Sequence, residues 1–92
     1  MAETAMVVAV PGHVLVRSIE DELVLLNLDT DRYFSLNEIG LRFIEALDGQ
    51  RSVGSISLEL GEMYEVDPSV LSRDLLDLVG RLVDEGLVTA VP

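Results

Sequence analysis

Apolar and polar positions alternate in the first part of the chain, a pattern that predicts β-strands. The segment His13 to Ser18 alternates as a half-buried strand does. After a link at Ile19 to Asp21, the segment Glu22 to Leu28 is apolar enough to be buried on both faces or covered by helices. A turn at Asp29 to Arg32 leads into a short aromatic strand, Arg32 to Leu36. The short connections predict an antiparallel meander.

Two features mark the turns around these strands. Asp31, the third residue of the second turn, is expected to adopt a positive φ, which Asp tolerates but Gly prefers. Pro11-Gly12 signals a turn before the first strand, and residues 1 to 11 are expected to be weakly structured. We therefore predict a lead-in over residues 1–12 and one folded domain over residues 13–90.

Helical spacing replaces alternation after the third strand and predicts three helices. Asn37 is expected to cap the first helix, which ends at Asp48-Gly49. Ser52 caps the second, and Asp67-Pro68 begins the third, which ends at Gly86. The resulting fold class is α+β and winged-helix-like, with a three-stranded antiparallel sheet followed by three helices. The expected core positions are Ile39, Phe43, Ala46, Leu47, Val53, Ile56, Leu60, Met63, Leu71, Leu75, Leu78, Val79, Leu82, Leu87 and Val88.

The third helix carries more apolar surface than one core contact needs. Its apolar side chains span about 160° of the helix circumference. Leu76 and Val83 lie at one border of that span, next to Gly80. Two interpretations are open: these side chains widen the core contact, or they line a groove for a partner.

The net charge limits the possible partners. Seventeen acidic residues against six arginines, with no lysine, give a net charge of −11. This charge repels phosphate backbones and anionic membranes, so neither nucleic acid nor a membrane is an expected partner. It also keeps a small apolar domain soluble. Whether it additionally selects a basic partner is open at this stage.

No motif in the sequence supports catalysis or cofactor binding. The chain lacks cysteine, which excludes a thiol nucleophile and a thiolate zinc site. The single histidine, His13, is expected to be surface-exposed or partly packed, and the acidic residues lack the spacing of a metal-binding loop. We therefore expect a protein that is not an enzyme and that needs no metal or cofactor. The absence of a long apolar run or a signal-peptide pattern makes the cytoplasm the expected location.

The third predicted strand leaves one side of the sheet unpaired. This strand is short but carries no Lys or Pro that would block pairing. An extended peptide could add to it as a fourth strand, through main-chain hydrogen bonds and side-chain pockets. The alternative is an edge that the protein's own helices shield.

From about Val14 to Val88 the chain resembles the PqqD-like family, the recognition elements for precursors of ribosomally made, modified peptides. The resemblance rests on VLLNLDTDRYFSLNE, on LDG at Leu47 to Gly49, on SVGSI in the second helix, on YEVDPS at Tyr64 to Ser69 and on DLLDLVGRLVDEGLV at the end. The RYF strand is most similar to the stand-alone leader-binding proteins of lasso peptide biosynthesis. One departure is Asp31, where the family often has Gly.

The resemblance implies a leader-binding adaptor with no catalytic residue. Family members bind the leader of a precursor peptide beside the third strand and against the third helix. In the lasso group the leader often carries Tyr-x-x-Pro, and the precursor passes to a separate transglutaminase-like cysteine protease and an ATP-dependent macrolactam synthetase. The implied contacts in this chain are Arg32, Tyr33, Phe34 and Ser35 on the strand, Leu76, Val79, Gly80 and Val83 on the helix, and Asp77 as a polar contact.

Two alternatives remain open. The first, within the same family, is a chaperone for a radical enzyme in pyrroloquinoline quinone maturation or another modified-peptide pathway. The second is a winged-helix DNA-binding protein, which the element order permits. The third helix argues against DNA binding, because a DNA reader needs a basic face. Its charged residues are Asp74, Asp77 and Asp84 against Arg73 and Arg81.

Overall fold

The computed structural model describes residues 3–20 and 22–91 of the 92-residue chain. Asp21, part of the predicted link between the first two strands, lies outside the described residues. The same holds for the first two residues of the predicted lead-in and for residue 92.

The strands and helices follow the predicted order. A 3-10 helix at Glu3–Ala5 is followed by strands β1 (Val8–Ala9), β2 (Val14–Ile19), β3 (Glu22–Asn27) and β4 (Arg32–Leu36), helices α1 (Glu38–Ala46), α2 (Val53–Tyr64) and α3 (Pro68–Asp84), and strand β5 (Thr89–Ala90). Strands β2, β3 and β4 form an antiparallel sheet in that order. The predicted α+β fold, a three-stranded antiparallel sheet followed by three helices, is confirmed. In the described part of the chain, no helix is both long enough and apolar enough to cross a membrane.

The N-terminal segment is more structured than the sequence predicted. Strand β1 pairs antiparallel with β5, with Val8 opposite Ala90, and Val8 is fully buried. The Val53 amide at the start of α2 donates to the Met6 carbonyl at 2.9 Å. The expectation of a weakly structured segment is therefore wrong here, because its partners lie far away in the sequence. The domain boundary at residue 13 stays a prediction.

Short-range hydrogen bonds set where the helices begin. The side chain of each predicted cap accepts a hydrogen bond from a backbone amide two or three residues ahead: at 3.1 Å for Asn37, 3.1 Å for Ser52 and 2.9 Å for Asp67. Asp31 adopts a φ of 61°, as predicted for its turn, and Gly86 adopts a φ of 70° just beyond α3. Local sequence therefore determines these boundaries.

One apolar core lies between the inner face of the sheet and the three helices. Its members from β3 and β4 are Leu23, Leu25 and Leu36, and those from α3 are Leu71, Leu75, Leu78, Val79 and Leu82, which is the whole predicted stripe. Leu87 and Val88 return to the core, as expected.

Met63 is the exception among the predicted core residues of α2, because its side chain is 57% exposed. The last turn of α2 packs through Gly61 against the connection to α3. A Cβ atom at Gly61 would lie 2.8 Å from the Val66 carbonyl oxygen. Met63 lies about 160° around the helix from the buried Gly61 and therefore on the exposed side of this turn.

Candidate functional site

Strand β4 lies at the edge of the three-stranded sheet. Among the described strands it pairs only with β3, in a register that runs from Leu23 opposite Leu36 to Asn27 opposite Arg32. An edge strand presents unpaired backbone N–H and C=O groups on its other side. The edge position predicted for this strand is therefore confirmed.

A cavity of about 420 Å³ lies between β4 and α3. Its lining consists of Phe34, Ser35 and Leu36 from β4, Asn37 and Ile39 from the start of α1, and Leu71, Asp74, Leu75, Leu78 and Arg81 from α3. Successive side chains of a strand point to opposite faces of its sheet. A cavity that three consecutive residues line must therefore run along the edge of β4.

The cavity has an apolar floor and a polar rim. Leu36, Leu75 and Leu78 are buried on the floor, whereas Asp74 and Arg81 are exposed on the α3 rim. The two charged residues are seven positions apart, which is about 10 Å along a helix axis. The floor suits an apolar anchor, and the rim offers groups of both charge signs.

Arg81 also covers part of the strand wall. Its guanidinium carbon lies 5.5 Å from the centroid of the half-buried Phe34 ring. At this distance the positive charge is attracted to the face of the ring. The Arg81 side chain therefore spans the groove from the helix to the strand.

The buried amide of Asn27 fixes one end of α3 to the hairpin before β4. Its Nδ2 donates to the carbonyl oxygens of Glu85 at 3.1 Å and Gly86 at 3.3 Å. Its Oδ1 accepts from the backbone amides of Asp29 at 2.9 Å and Thr30 at 3.3 Å. A single side chain thereby links the end of α3 to the turn before β4.

Two further contacts join the end of α3 to the sheet. The Nε atom of Arg32 lies 3.4 Å from Oε1 of Glu85, and Nε2 of His13 lies 3.1 Å from the Gly86 carbonyl oxygen. His13 is half-buried, in agreement with the prediction of a partly packed side chain. The Arg32 side chain of this ion pair is 70% exposed, so the pair adds little stability compared with the part-buried Asn27 hydrogen bonds.

A close approach between α1 and β4 fixes the other end of the cavity. A Cβ atom at Gly40 would lie only 2.9 Å from the Cβ of Leu36. Glycine therefore allows α1 to lie directly on the end of the strand, and this places Ile39 at the cavity. Asn37 has two roles, because its side chain caps α1 and the residue also lines the cavity.

The four strand residues predicted to contact the leader do not all lie at the cavity. Phe34 and Ser35 line the cavity. Arg32 lies at the end of the strand beside Glu85, and Tyr33 lies on the outer face of the sheet with 72% of its side chain exposed. All four belong to the free edge through their backbones, and their roles in binding stay predictions.

The predicted helix wall lies away from the cavity. Val79 is only 2% exposed and belongs to the core. Leu76, Gly80 and Val83 occupy the border of α3 about 100–180° around the helix from the cavity rim. Asp77 is exposed and, like these three, is not part of the cavity lining. The sequence missed the α3 residues that do line it: Leu71, Asp74, Leu75, Leu78 and Arg81.

A free strand edge beside a cavity with an apolar floor is the geometry with which domains bind extended peptides by strand addition. Comparison with known proteins gives the family. The family model described as "Coenzyme PQQ synthesis protein D (PqqD)" matches residues 22–88, which is most of the chain. The chain belongs to this family, so the resemblance noted from its motifs is confirmed.

Individual relatives match over most of their length. The PqqA binding protein of Bradyrhizobium diazoefficiens is 27% identical over 79 residues, which cover 86% of this chain and 77% of that protein. TbiB1, solved in complex with the TbiA(beta) leader peptide, aligns with a TM-score of 0.78 and 31% identity over 87% of this chain and 93% of TbiB1. The PqqD truncation of Methylobacterium extorquens PqqCD, described as a stand-alone RiPP recognition element, aligns with a TM-score of 0.78 and 27% identity over 97% and 99% of the two chains.

Proposed function

We propose that this protein is a non-catalytic adaptor that binds the leader segment of a ribosomally synthesised precursor peptide. The leader adds to β4 as a further strand and places an apolar side chain in the neighbouring cavity. The observation that carries this proposal is the cavity of about 420 Å³ along an unpaired strand edge. The PqqA binding protein and the TbiB1–leader complex support it, since both relatives are described by the peptide that they bind.

The size of the interacting surface is consistent with moderate affinity. Each new backbone hydrogen bond along the short β4 edge contributes about 0.5–1.5 kcal/mol. Each apolar anchor that is buried adds about 1.5–3 kcal/mol. Ordering the peptide costs about 1–2 kcal/mol per residue. The small surplus corresponds to dissociation constants from about micromolar to high nanomolar.

The downstream step of the proposed function is delivery in the cytoplasm. The adaptor passes the bound precursor to a separate transglutaminase-like cysteine protease and an ATP-dependent macrolactam synthetase, as the lasso-type RYF strand implies. The TbiB1–leader complex has the higher identity of the two solved structures compared above, at 31%. The second candidate is a chaperone for a radical enzyme, which the PqqD family model and the PqqA binding relative favour.

Titration by fluorescence anisotropy tests the proposed function directly. The ligand is a labelled leader peptide from the precursor gene beside the protein's own gene. We expect saturable binding at micromolar or lower concentration, and loss of binding when the Tyr or Pro of a Tyr-x-x-Pro leader is replaced by Ala. A folded protein that does not bind this peptide would overturn the proposal. A bound leader without Tyr-x-x-Pro would favour the radical-enzyme pathway.

A matched pair of arginine substitutions tests whether the leader occupies the cavity or lies against the border of α3 on the side away from the cavity. Ile39→Arg places a charge in the cavity, so we expect at least tenfold weaker leader binding, the equivalent of losing one buried apolar anchor. Val83→Arg changes a 43%-exposed side chain on the opposite border. We expect it to leave the affinity within about twofold. The reverse result would move the binding wall to Leu76, Gly80 and Val83. Circular dichroism checks that both variants are folded.

A further inference from the structure

The outer face of the sheet, on the side away from the core, is unusually apolar. We define this outer sheet face by the side chains that alternate with the core positions of β2, β3 and β4. They are Leu15, Arg17, Ile19, Glu22, Val24, Leu26, Tyr33 and Ser35. In most antiparallel sheets with one covered face, the other face alternates to polar residues. The composition of this face therefore needs an explanation other than the fold.

Three apolar side chains of the outer sheet face are direct neighbours. The strand register aligns Leu15 with Leu26 and Leu26 with Tyr33, so the three form one row across the sheet. Leu15 is 38% exposed and Tyr33 is 72% exposed. Ile19, which is 61% exposed, lies at the end of β2 opposite Glu22, with Arg17 between it and Leu15 on this face. A connected exposed patch of this kind marks an interaction surface more often than scattered apolar residues do.

The outer sheet face is continuous with the edge proposed to receive the leader. Tyr33 and Ser35 belong both to this face and to β4. Because strand side chains alternate, a leader strand added to β4 would place every second side chain on the same face. Leader binding would therefore enlarge the surface, and a partner on this face would contact the adaptor and its cargo together.

Charge indicates the chemistry of that partner. Exposed acids flank both ends of the outer sheet face: Glu20 and Glu22 at the β2–β3 hairpin, and Asp29 and Asp31 at the β3–β4 turn. A second copy of this chain is disfavoured, because two molecules of charge −11 repel each other. A surface with an apolar centre and basic flanks is complementary instead.

We propose that the outer sheet face is the docking surface for the enzyme that acts on the leader-bound precursor, and that this enzyme presents an apolar centre between basic residues. The proposal rests on the proposed function. It requires the loaded adaptor to bind the enzyme more tightly than the empty one, since the leader forms part of the docking surface. It also requires the affinity to fall as salt screens the flanking charges.

Biolayer interferometry with the purified leader protease encoded beside the protein's own gene tests the proposal. The protease is titrated against the full chain with and without saturating leader. The double variant Leu15→Arg/Ile19→Arg should bind the loaded complex at least tenfold more weakly. Ile19→Arg alone is the milder variant should the double variant fail to fold. Leu58→Arg, at a 60%-exposed position on α2, is the matched control and should keep wild-type affinity.

Leader affinity, measured on every variant by anisotropy, separates this proposal from the proposed function. Wild-type leader affinity in Ile19→Arg together with weaker protease binding supports docking on the outer sheet face. Unchanged protease binding in folded outer-face variants, or no protease binding by the loaded wild-type protein, overturns it. Sedimentation experiments could also show a dimer that the same substitutions abolish. That result would assign the outer sheet face to a second copy of the chain and would overturn the docking proposal. Absence of leader binding by the wild-type protein contradicts the proposed function itself.

Discussion

Asn27 shows how much one buried polar residue can do in a small domain. It is 3% exposed, and its side chain bonds to the turn before β4 and to the carbonyls that end α3. We expect Asn27→Ala to lower the free energy of unfolding by about 2–4 kcal/mol, because the lost bonds leave partly buried backbone groups unpaired. Urea denaturation followed by circular dichroism measures this change.

Asn37→Ala is the matched control for Asn27→Ala. It removes a helix cap rather than a link between distant elements, and should cost about 1 kcal/mol. Equal losses in the two variants would show that the long-range bonds of Asn27 add nothing beyond a local cap.

The caps and the role of Asn27 differ in how far a sequence can predict them. Asn37, Ser52 and Asp67 each accept a hydrogen bond from an amide two or three residues ahead, so a local pattern identifies them. Asn27 donates to Glu85, which lies 58 positions along the chain. The sequence marks Asn27 only as the end of an apolar run before a turn, and its partners follow from the tertiary structure.

At the scale of elements, α3 shows the limit of periodicity. Its spacing correctly predicts the buried stripe but does not decide which of its two borders faces β4. The resemblance implies the apolar border at Leu76 and Val83 as the groove wall, whereas the cavity lies against the charged border at Asp74 and Arg81. That choice depends on how the ends of α3 are attached to the sheet. The pairing of β1 with β5 was missed for a similar reason, since two-residue strands carry almost no pattern.

Two glycines in helices are predicted to respond oppositely to replacement by alanine. A Cβ atom at Gly80 meets no atom within 4 Å, so Gly80→Ala should raise the free energy of unfolding by about 0.5–1 kcal/mol through helix propensity. Gly40→Ala places a methyl group 2.9 Å from the Leu36 Cβ and should cost about 1–3 kcal/mol.

Leader titration of the same two glycine variants tests which border of α3 forms the wall of the leader-binding groove. Gly80→Ala should keep its leader affinity if the wall is the cavity border of α3. A marked loss of affinity in this stable variant would instead support the border that contains Gly80. Gly40→Ala should weaken binding as well as stability, because it displaces the wall formed by α1.

The N-cap of α3 is predicted to make stability depend on pH. The hydroxyl and the backbone amide of Ser69 donate to Oδ1 of Asp67, at 2.8 and 2.9 Å, and lower the pKa of this carboxyl group. A lowered pKa contributes stability above the unfolded value of about 3.9, and that contribution is lost as pH falls through the folded value. Asp67→Asn should therefore destabilise the protein at pH 7 more than at pH 3.

Thermal midpoints of the wild type and of Asp67→Asn at several pH values measure this difference. Asp77→Asn removes an acid at an exposed position elsewhere on α3 and serves as the matched control for the change in net charge. An effect of Asp67→Asn that stays constant from pH 7 to pH 3 would mean that the charge of the cap contributes nothing.

At the scale of the whole molecule, the acidic charge opposes folding while it favours a basic partner. The ion pairs in the described part of the chain are Arg32–Glu85, Arg42–Glu45 and Arg51–Glu59. Each has partly or largely exposed side chains, so together they offset little of the repulsion. The same charge that is proposed to select the docking enzyme thus reduces the stability of the free adaptor. A basic partner and added salt should therefore both reduce this repulsion.

Salt is predicted to stabilise the free protein. The molecule measures 35 × 32 × 19 Å. The Debye length is about 30 Å at 0.01 M salt, so acids across the whole surface repel one another, whereas at 1 M it is about 3 Å and only close neighbours interact. We expect the thermal midpoint to rise by several degrees over this range in NaCl, since about 1 kcal/mol corresponds to about 4–8 °C for a small domain. The thermal midpoint of the variant Glu62→Gln/Glu65→Gln should rise less with salt, because this variant carries less negative charge. A wild-type midpoint that falls with salt would show that attractive ion pairs outweigh the repulsion.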